Sequence, residues 1–393
     1  MTKVLRILNR FNVGGPTYNA TYLTKYLSDK YETKLIGGDK DESEASSLYM
    51  ADNLGLKPEI IYKMRRSMNP IKDWKAYREI KKIIREFKPD IVHTHASKAG
   101  AIGRMAAISC KIPIIVHTFH GHVFHGYFNP IIAMIYKTVE RYLAKKSNAI
   151  IAISELQKNE LVNIYKIVAA DKISVIPLGF DLEQFTENNE EKRRSFRSKF
   201  NIKDEELAIG IIGRLVPIKN HQLFIKAAQY VQRNSKTPVR FVIIGDGDSK
   251  SDIQEQCIAA DLSYEEKEYK GANVIFTSWI KEVDWALAGL DLVCLTSLNE
   301  GTPVSLIEAQ AAGKPIVSSE VGGIKNVVVP NKSALLSPIE NENLFFTNLL
   351  KLVDNQELRK EMSGVGRSMV IDKFSYHVLV KNMEGLYSRL IKQ

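Results

Sequence analysis

The chain alternates short, almost continuously apolar runs with longer segments of helical periodicity, and this alternation constrains the fold more than any other sequence feature. Strands that are apolar on both faces must be covered on both faces, which is typical of parallel sheets connected by helices. The alternation therefore predicts doubly wound α/β domains. We expect strands over residues 4–9, 33–38, 90–96, 113–119, 149–154, 173–179, 207–213, 239–245, 273–279, 291–297 and 315–320.

A chain of 393 residues is longer than a domain with a single hydrophobic core usually is, so two domains are expected. A new series of strands begins at residue 207, after a charged segment, and the boundary is best placed within residues 177–185. We predict domains over residues 1–180 and 181–372, followed by a closing segment over residues 373–393. Parallel sheets bind ligands at the carboxyl ends of their strands, and two such sheets facing each other would create one deep cleft.

Several classes of protein are disfavoured by the composition. The first residues lead into a strand rather than a signal peptide, and no apolar run approaches the ~20 residues that a membrane span needs. Cys110, Cys257 and Cys294 are scattered, which argues against a disulfide framework or a zinc ribbon. We therefore expect a cytoplasmic protein.

Positive charge is concentrated in the first half of the chain. Residues 1–185 contain 28 Lys and Arg against 18 Asp and Glu, whereas the remainder is neutral. The densest stretch, residues 63–88, is either a solvated helix face or a contact for an anionic partner: a nucleic acid, an anionic bilayer or a phosphate-bearing acceptor. The amphipathic segment 131–146 either rests on a membrane interface or packs on its own sheet.

Two cations lie on a predicted strand-to-helix loop in the second half. Arg214 and Lys219 follow the strand at 207–213 and precede a helix that begins near His221. Fixed cations beside free helix N–H groups favour a bound phosphate. Walker A spacing is absent, so this loop is not a P-loop.

The segment 299–317 places two glutamates around a helix start. Thr302 is expected as the N-cap and Pro303 as the first helical residue. Glu308 lies one turn, ~5.4 Å, beyond Val304 on the same helix face, an offset that suits a diphosphate at the helix start and a ribose diol one turn further. Glu300 would face the group on the other side of the diphosphate.

Six of the eight histidines lie between His93 and His125. Either His93 with His95, or His117 with His120 and His122, could be imagined as metal ligands, but no acidic residue or cysteine accompanies them at metal spacing. We expect His120, at a strand end, to contact a polar ligand and the other five to be structural.

Two further motifs are weaker. Gly14 and Gly15 follow the first strand and allow close approach of a ligand, yet they do not form GxGxxG, and a glycine turn also simply connects a strand to a helix. Asp246 and Asp248 match the metal-binding DxD of one class of glycosyltransferase, although a glycine-rich turn is needed at that position anyway.

Together these segments resemble the family 4 retaining glycosyltransferases, which have the GT-B architecture of two Rossmann-like domains facing across a cleft. The resemblance covers essentially the whole chain and is strongest in the second half. One departure is Asn220, which stands where many members have glycine. The matching segments are residues 12–19, 92–100, 116–124, 149–155, 175–181, 213–221, 242–248, 297–317 and 373–387.

The resemblance also implies roles for individual residues. Arg214 and Lys219 would hold the donor diphosphate, Glu308 the ribose, and Glu300 the donor sugar, while His120 would lie near the reacting sugar. The first domain would bind the acceptor, the second the nucleotide sugar, and the closing helix would pack back on the first. The backbone of Ile280 would meet the base, and Gly15 would approach the phosphates from the first domain. Further donor contacts are expected from Gly301, Thr302, Pro303 and Val304.

The predicted function is retaining, metal-independent transfer of a sugar, most simply a hexose or N-acetylhexosamine from UDP, to a hydroxyl of a polyprenyl-diphosphate-linked or saccharide acceptor. The family members resembled serve O-antigen, capsule or exopolysaccharide assembly, which suggests a peripheral position at the inner face of the cytoplasmic membrane, on an anionic surface. No cofactor is expected. A nucleotide-sugar 2-epimerase is the alternative enzyme. A nucleic-acid-binding protein would explain the basic charge, but the basic stretch lacks aromatic interleaving and any reader motif.

Overall fold

The computed structural model describes residues 1–12, 14–39, 46–65, 67, 69–121 and 130–392. The chain divides into two compact units. The first contains residues 1–180 and 374–393, and the second contains residues 181–373.

The first unit is built on a seven-stranded parallel sheet in the order β3-β2-β1-β4-β5-β6-β7. Because β1 lies beside β4, with Arg6 opposite His93 and Leu8 opposite His95, the order reverses between these two strands. The strands are β1 (Thr2–Arg10), β2 (Tyr31–Gly38), β3 (Glu59–Ile61), β4 (Ile91–His95), β5 (Ile114–Phe119), β6 (Ala149–Ala152) and β7 (Ile173–Val175).

Helices cover both faces of this sheet. The apolar residues of α3 and α4 pack on one face together with Ile7 and Val92, and the pair formed by Arg104 of α4 and Glu140 of α5, 2.6 Å apart and buried, joins those helices. The helices of this part of the chain are α1 (Gly15–Tyr26), α2 (Leu48–Asn53), α3 (Pro70–Phe87), α4 (Ser97–Ser109), α5 (Pro130–Lys146) and α6 (Glu155–Asn159).

The second unit repeats this plan, with a parallel sheet in the order β10-β11-β9-β8-β12-β13-β14. Here the order reverses between β8 and β12. The strands are β8 (Leu207–Ile212), β9 (Val239–Ile244), β10 (Tyr264–Glu265), β11 (Val274–Phe276), β12 (Leu292–Leu295), β13 (Ile316–Ser319) and β14 (Ala334–Ser337). The helices are α7 (Asn189–Lys199), α8 (His221–Asn234), α9 (Lys250–Ala259), α10 (Val283–Gly289), α11 (Val304–Ala311), α12 (Glu342–Asp354) and α13 (Gln356–Phe374).

The last helix, α14 (Tyr376–Ile391), belongs to the first unit although it follows the second in sequence. Its buried residues Leu379, Met383, Leu386 and Tyr387 join the core formed by Val4, Leu23, Ile91 and Val116. Ser375 caps the helix by accepting a hydrogen bond from the backbone N–H of His377. The helix therefore completes one face of the first sheet.

The predicted doubly wound α/β fold is confirmed, and every predicted strand is present. The sequence reasoning missed three strands, β3, β10 and β14, and each lies at the edge of its sheet. These strands have only two to four residues. An edge strand has one hydrogen-bonding neighbour and needs no long apolar run, so its sequence signal is weak.

Candidate active site

The most concentrated group of predicted site residues lies in the second unit, where the strand order reverses. The loops that follow β8 and β12 leave the sheet side by side at its carboxyl edge, because these strands are neighbours whose connections run in opposite directions. Open α/β sheets bind ligands at this position. The first loop carries Arg214 and Lys219, and the second carries residues 296–303.

The loop after β8 presents one exposed cation and one paired cation. Arg214 is exposed, and its side chain makes no hydrogen bond or ion pair with any residue in the described ranges. Lys219 ends a 3-10 turn and is followed by Asn220, whose φ of 47° and ψ of 53° are left-handed. Asparagine tolerates this conformation better than most residues, which explains how it substitutes for glycine here.

Lys219 forms an ion pair with Glu300, with 2.5 Å between Nζ and Oε1. The hydroxyl of Ser297 donates to the same carboxylate oxygen at 2.6 Å, and the hydroxyl of Thr296 donates to the Lys219 carbonyl at 2.8 Å. The other oxygen of Glu300, Oε2, has no partner within the described part of the chain. Lys219, the cation predicted to bind phosphate, and Glu300, the carboxylate predicted to bind the sugar, are thus adjacent. One oxygen of Glu300 is available to a hydroxyl.

The start of α11 differs from the prediction. Pro303, not Thr302, is the N-cap, and the helix begins at Val304. The ψ of 100° at Pro303 is extended rather than helical, so this proline cannot be the first helical residue. No side chain caps the helix, and the first N–H groups of a helix have no intrahelical partner. The N–H groups of Val304 and Ser305 are therefore suited to bind an anion.

Glu308 lies one turn further along α11, and it is half-buried. Its carboxyl group makes no hydrogen bond to a described residue. Burial raises the pKa of Glu308 to about 8, and the negative charge of Asp284 acts in the same direction. A carboxyl group that is partly removed from water and has no protein partner costs stability, and such groups are characteristic of binding sites.

We expect Glu308→Gln to raise the melting temperature of the protein above pH 8. The folded pKa of about 8 exceeds the ordinary value of 4.5, so the stability that the protonated group contributes is lost as pH rises through 8. The glutamine cannot ionise, and we expect a gain of ~2–4 °C over the wild type at pH 9, with no gain at pH 5. Thermal unfolding at the two pH values measures the difference, and an equal shift at both would contradict the assignment.

A loop with two glycines, Gly322 and Gly323, packs against the backbone at Glu300, and the sequence reasoning missed it. The N–H of Gly323 donates to the Glu300 carbonyl at 3.0 Å. A Cβ at Gly323 would lie 1.7 Å from the carbonyl oxygen of Gly301, and one at Gly322, whose φ is 49°, would lie 2.0 Å from that of Glu300. The Val-Gly-Gly sequence at residues 321–323, one residue beyond the end of β13, is the signal that could have indicated this close approach.

The Asp246 carboxylate is occupied by protein groups. Its Oδ2 accepts a hydrogen bond from the Ser278 hydroxyl at 2.8 Å, and its Oδ1 accepts from the N–H of Gly247 at 2.9 Å. The Ser278 hydrogen bond is the main cause that lowers the pKa of Asp246. Over the described residues, no group of three or more His, Cys, Asp or Glu side chains could hold a metal ion. Ile280 is half-buried two residues after Ser278.

In the first unit, Gly15 and His120 occupy the corresponding carboxyl edge. Gly15 begins α1, and a Cβ at this position would lie 2.8 Å from Leu178 Cδ1, so only glycine fits without a shift. His120 follows β5, and its Nε2 lies 3.0 Å from Nδ1 of His95. Burial lowers the pKa of His120 to about 3, so the ring is neutral at physiological pH.

The other described histidines of the first half are buried in hydrogen-bonded positions. His93 contacts the hydroxyls of Tyr387 and Thr118, and His117 contacts the Thr94 hydroxyl. Burial is the main cause that lowers the pKa of His93, His95 and His117 well below the ordinary value. These contacts agree with the expected structural role. His122 and His125, also expected to be structural, lie outside the described residues, as does Val13 next to the glycine pair.

Two family profiles together match most of the chain. Residues 13–184 match the profile described as Glycosyltransferase Family 4. Residues 192–369 match the profile described as glycosyl transferases group 1. The segments that carry Arg214, Lys219, Glu300 and Glu308 all lie within the second match.

Similar proteins extend over most of both chains. The UDP-Gal:α-D-GlcNAc-diphosphoundecaprenol α-1,3-galactosyltransferase of Escherichia coli is 30% identical over 330 residues, which are 83% of this chain and 82% of that protein. The capsular polysaccharide biosynthesis glycosyltransferase CapM of Staphylococcus aureus is 23% identical over 337 residues, 84% of each chain. The crystal structure of Anabaena HepE in complex with UDP has a TM-score of 0.79 at 17% identity, covering 99% of this chain and all of that one. The likeness confirms the predicted GT-B fold class.

Proposed function

The chain belongs to the family 4 glycosyltransferases, and from this premise we propose that it transfers a sugar from UDP, with retention at the anomeric carbon, to a hydroxyl of a polyprenyl-diphosphate-linked glycan. The observation that carries the proposal is the juxtaposition of Lys219, Glu300 and the uncapped start of α11 at the strand-order reversal of the second sheet. The cation and the helix N-terminus suit a diphosphate, and the carboxylate suits the hydroxyls of a sugar.

The choice of UDP rests on relatives. The Escherichia coli protein is named for a UDP-galactose donor, and Anabaena HepE was crystallised with UDP. Galactose is therefore the first sugar to test, before glucose and the N-acetylhexosamines. On this chain, the raised pKa of Glu308 fits a ribose site, because two ribose hydroxyls would supply the hydrogen bonds that its carboxylate lacks.

The mechanism that we propose relies on electrostatic stabilisation of the leaving diphosphate. As the glycosidic bond breaks, negative charge grows on the diphosphate, and Arg214, Lys219 and the N–H groups of Val304 and Ser305 stabilise it without a metal ion. A diphosphate oxygen takes the acceptor proton on the face from which the diphosphate leaves. Glu300 orients the sugar through its unpaired oxygen, since its other oxygen is held by Lys219 and Ser297.

We propose a lipid-linked acceptor because the first unit is basic and because the Escherichia coli relative is named for an undecaprenol-diphosphate substrate. The relatives named above are transferases, and they favour transfer over the alternative 2-epimerase.

A screen of UDP-galactose, UDP-glucose, UDP-N-acetylhexosamines and GDP-mannose with a short-chain N-acetylglucosamine-diphosphate lipid tests the proposal. We expect an α-linked disaccharide from one UDP donor, formed equally in the presence of EDTA. Release of a free epimer without a glycoside would contradict it.

We also propose that the outer faces of α3 and α5 meet an anionic bilayer from the cytoplasmic side. Met134, Ile135 and Tyr142 of α5 are each more than half exposed, and so is Trp74 near the start of α3. The guanidinium of Arg78 lies 4.9 Å from the Trp74 ring centre. Exposed apolar and aromatic side chains beside lysines and arginines are typical of helices that lie in a membrane interface. None of the helices in the described ranges has both the length and the apolar run required to span a bilayer.

The protein should float with vesicles that contain anionic lipid and should be released as salt is raised. We expect Met134→Glu with Ile135→Glu to reduce flotation at least about tenfold, because burying two charges at the interface is unfavourable. Ile258→Glu, at an equally exposed site on α9 of the second unit, serves as the control and should float like the wild type. Salt-sensitive binding to nucleic acid, with no binding to vesicles, would instead support the alternative that the protein binds nucleic acid.

A further inference from the structure

One acidic turn of the second unit has no part in the function proposed so far. This turn, residues 245–248, follows β9 and contains Asp246. It contacts both loops that would hold the two ends of a nucleotide, namely the loop after β8 that carries Arg214 and the loop after β11 that carries Ile280.

The backbone of the turn holds the phosphate loop. The Asp246 carbonyl accepts a hydrogen bond from the N–H of Leu215 at 3.0 Å, directly after Arg214. A Cβ at Gly245 would lie 1.9 Å from the carbonyl oxygen of Gly213, and one at Gly247 would lie 2.4 Å from that of Leu215. These contacts involve main-chain atoms and glycines, and the Asp246 side chain makes none of them. Within the turn, that side chain only accepts a hydrogen bond from the N–H of Gly247.

The side chain of Asp246 holds the loop after β11. Ser278 has a φ of 60°, a left-handed conformation that costs a non-glycine residue free energy. Three hydrogen bonds hold this residue. The Ser278 carbonyl accepts from the N–H of Gly245 and from the Thr277 hydroxyl, each at 3.0 Å, and the Ser278 hydroxyl donates to Asp246 Oδ2 at 2.8 Å. The backbone leaves Ser278 in a direction set by this conformation and reaches Ile280 two residues later.

We propose that Asp246 is a positioning residue for nucleobase recognition, which acts by holding Ser278 so that the backbone near Ile280 meets the base. The inference rests on the proposed function, because it takes the ligand to be a nucleoside diphosphate. Asp246 does not touch the ligand. Its side chain sets the base end of the site, whereas the phosphate end depends on main-chain contacts of the same turn.

Two probes separate the two ends of the site. Inorganic diphosphate needs only the phosphate end, whereas UDP needs both. We expect Asp246→Ala to weaken UDP binding about tenfold, the scale of one lost hydrogen bond to a charged group, and to change diphosphate binding less than about twofold. General destabilisation of the unit would weaken both. Asp248→Ala removes the same charge two residues later from an exposed side chain and should bind both probes like the wild type.

Variants of Ser278 test the path through which Asp246 acts. Ser278→Ala should weaken UDP binding as much as Asp246→Ala, and the double variant should be no weaker than either, because both remove the hydrogen bond between Asp246 and Ser278 on which the base end depends. Ser278→Gly adopts the left-handed conformation without cost, so it should retain most of the affinity and should make the binding insensitive to Asp246→Ala.

Calorimetric titration of each folded variant with UDP, GDP and diphosphate gives the result. Wild-type affinity for UDP in Asp246→Ala, or equal losses for UDP and diphosphate, would overturn the inference while leaving the proposed function intact. If the wild-type chain binds diphosphate but no nucleoside diphosphate more tightly, the proposed function fails together with the inference.

Discussion

Replacing both Arg214 and Lys219 by alanine should lower the turnover of sugar transfer by at least about 10³-fold, since removing one preorganised charge-stabilising group typically costs 10²–10³-fold. Arg214 is exposed and without an ion pair among the described residues, so its charge is available to a diphosphate. Lys219 also holds Glu300, and its loss leaves that carboxylate without its cation. The effect should appear in kcat, because the charge on the diphosphate grows in the transition state.

The measurement is the initial rate of glycoside formation with the preferred donor at saturation. Arg233→Ala removes an exposed cation from α8 in the same unit and should leave the rate unchanged. Wild-type turnover in the double variant would exclude these two residues from catalysis. A rise in the donor KM alone would show that they bind the ground state and the transition state equally well.

Gly323→Ala should abolish most of the activity without unfolding the protein, with an expected loss of about 10²-fold. The added methyl carbon would lie 1.7 Å from the carbonyl oxygen of Gly301, so the loop after β12 must move. That loop carries Glu300, and displacing a positioning group by ~1 Å is enough to produce a loss of this size.

Gly364→Ala is the matched control for this change. Gly364 lies on α13, where an added Cβ meets no atom within 4 Å, and alanine is the better helix former. We expect wild-type activity and equal or slightly higher thermal stability. Normal turnover in Gly323→Ala, with normal circular dichroism in both variants, would show that the position of Glu300 is not critical.

The strands that lead into the candidate site were the easiest to predict from the sequence. They lie in the middle of each sheet, where helices cover both faces, so they form unbroken apolar runs such as residues 209–212 and 292–295. The missed strand Tyr264–Glu265 has one neighbour and a charged residue that pairs with Arg240. Edge position, rather than low propensity, explains the omission.

Local patterns were less informative about the site than about the fold. Thr302 followed by proline matches the usual start of a helix, yet Pro303 is extended and the helix begins one residue later without a cap. A capping side chain would occupy the first N–H groups of the helix. An anion site needs these groups to be free, so the usual capping pattern is expected to fail at such a site.

The pairing of Lys219 with Glu300 could not be read from the sequence, because 81 positions separate the two residues and only the adjacency of β8 and β12 brings them together. The same holds for Asp246 and Ser278, which are 32 positions apart. The Asp-x-Asp spacing suggested a metal ligand because spacing alone does not show what a carboxylate already binds.

The placement of α14 has a consequence for synthesis of the chain. The second unit is continuous in sequence, so it can fold as it leaves the ribosome, whereas the first unit needs residues that are made after the second. Until then, Val4, Leu23 and Val116 lack the apolar cover of Leu379, Met383 and Leu386. The first unit is thus completed after the second, and contacts between residues far apart in sequence, such as Arg6 and Tyr387 at a separation of 381 positions, make this step slow.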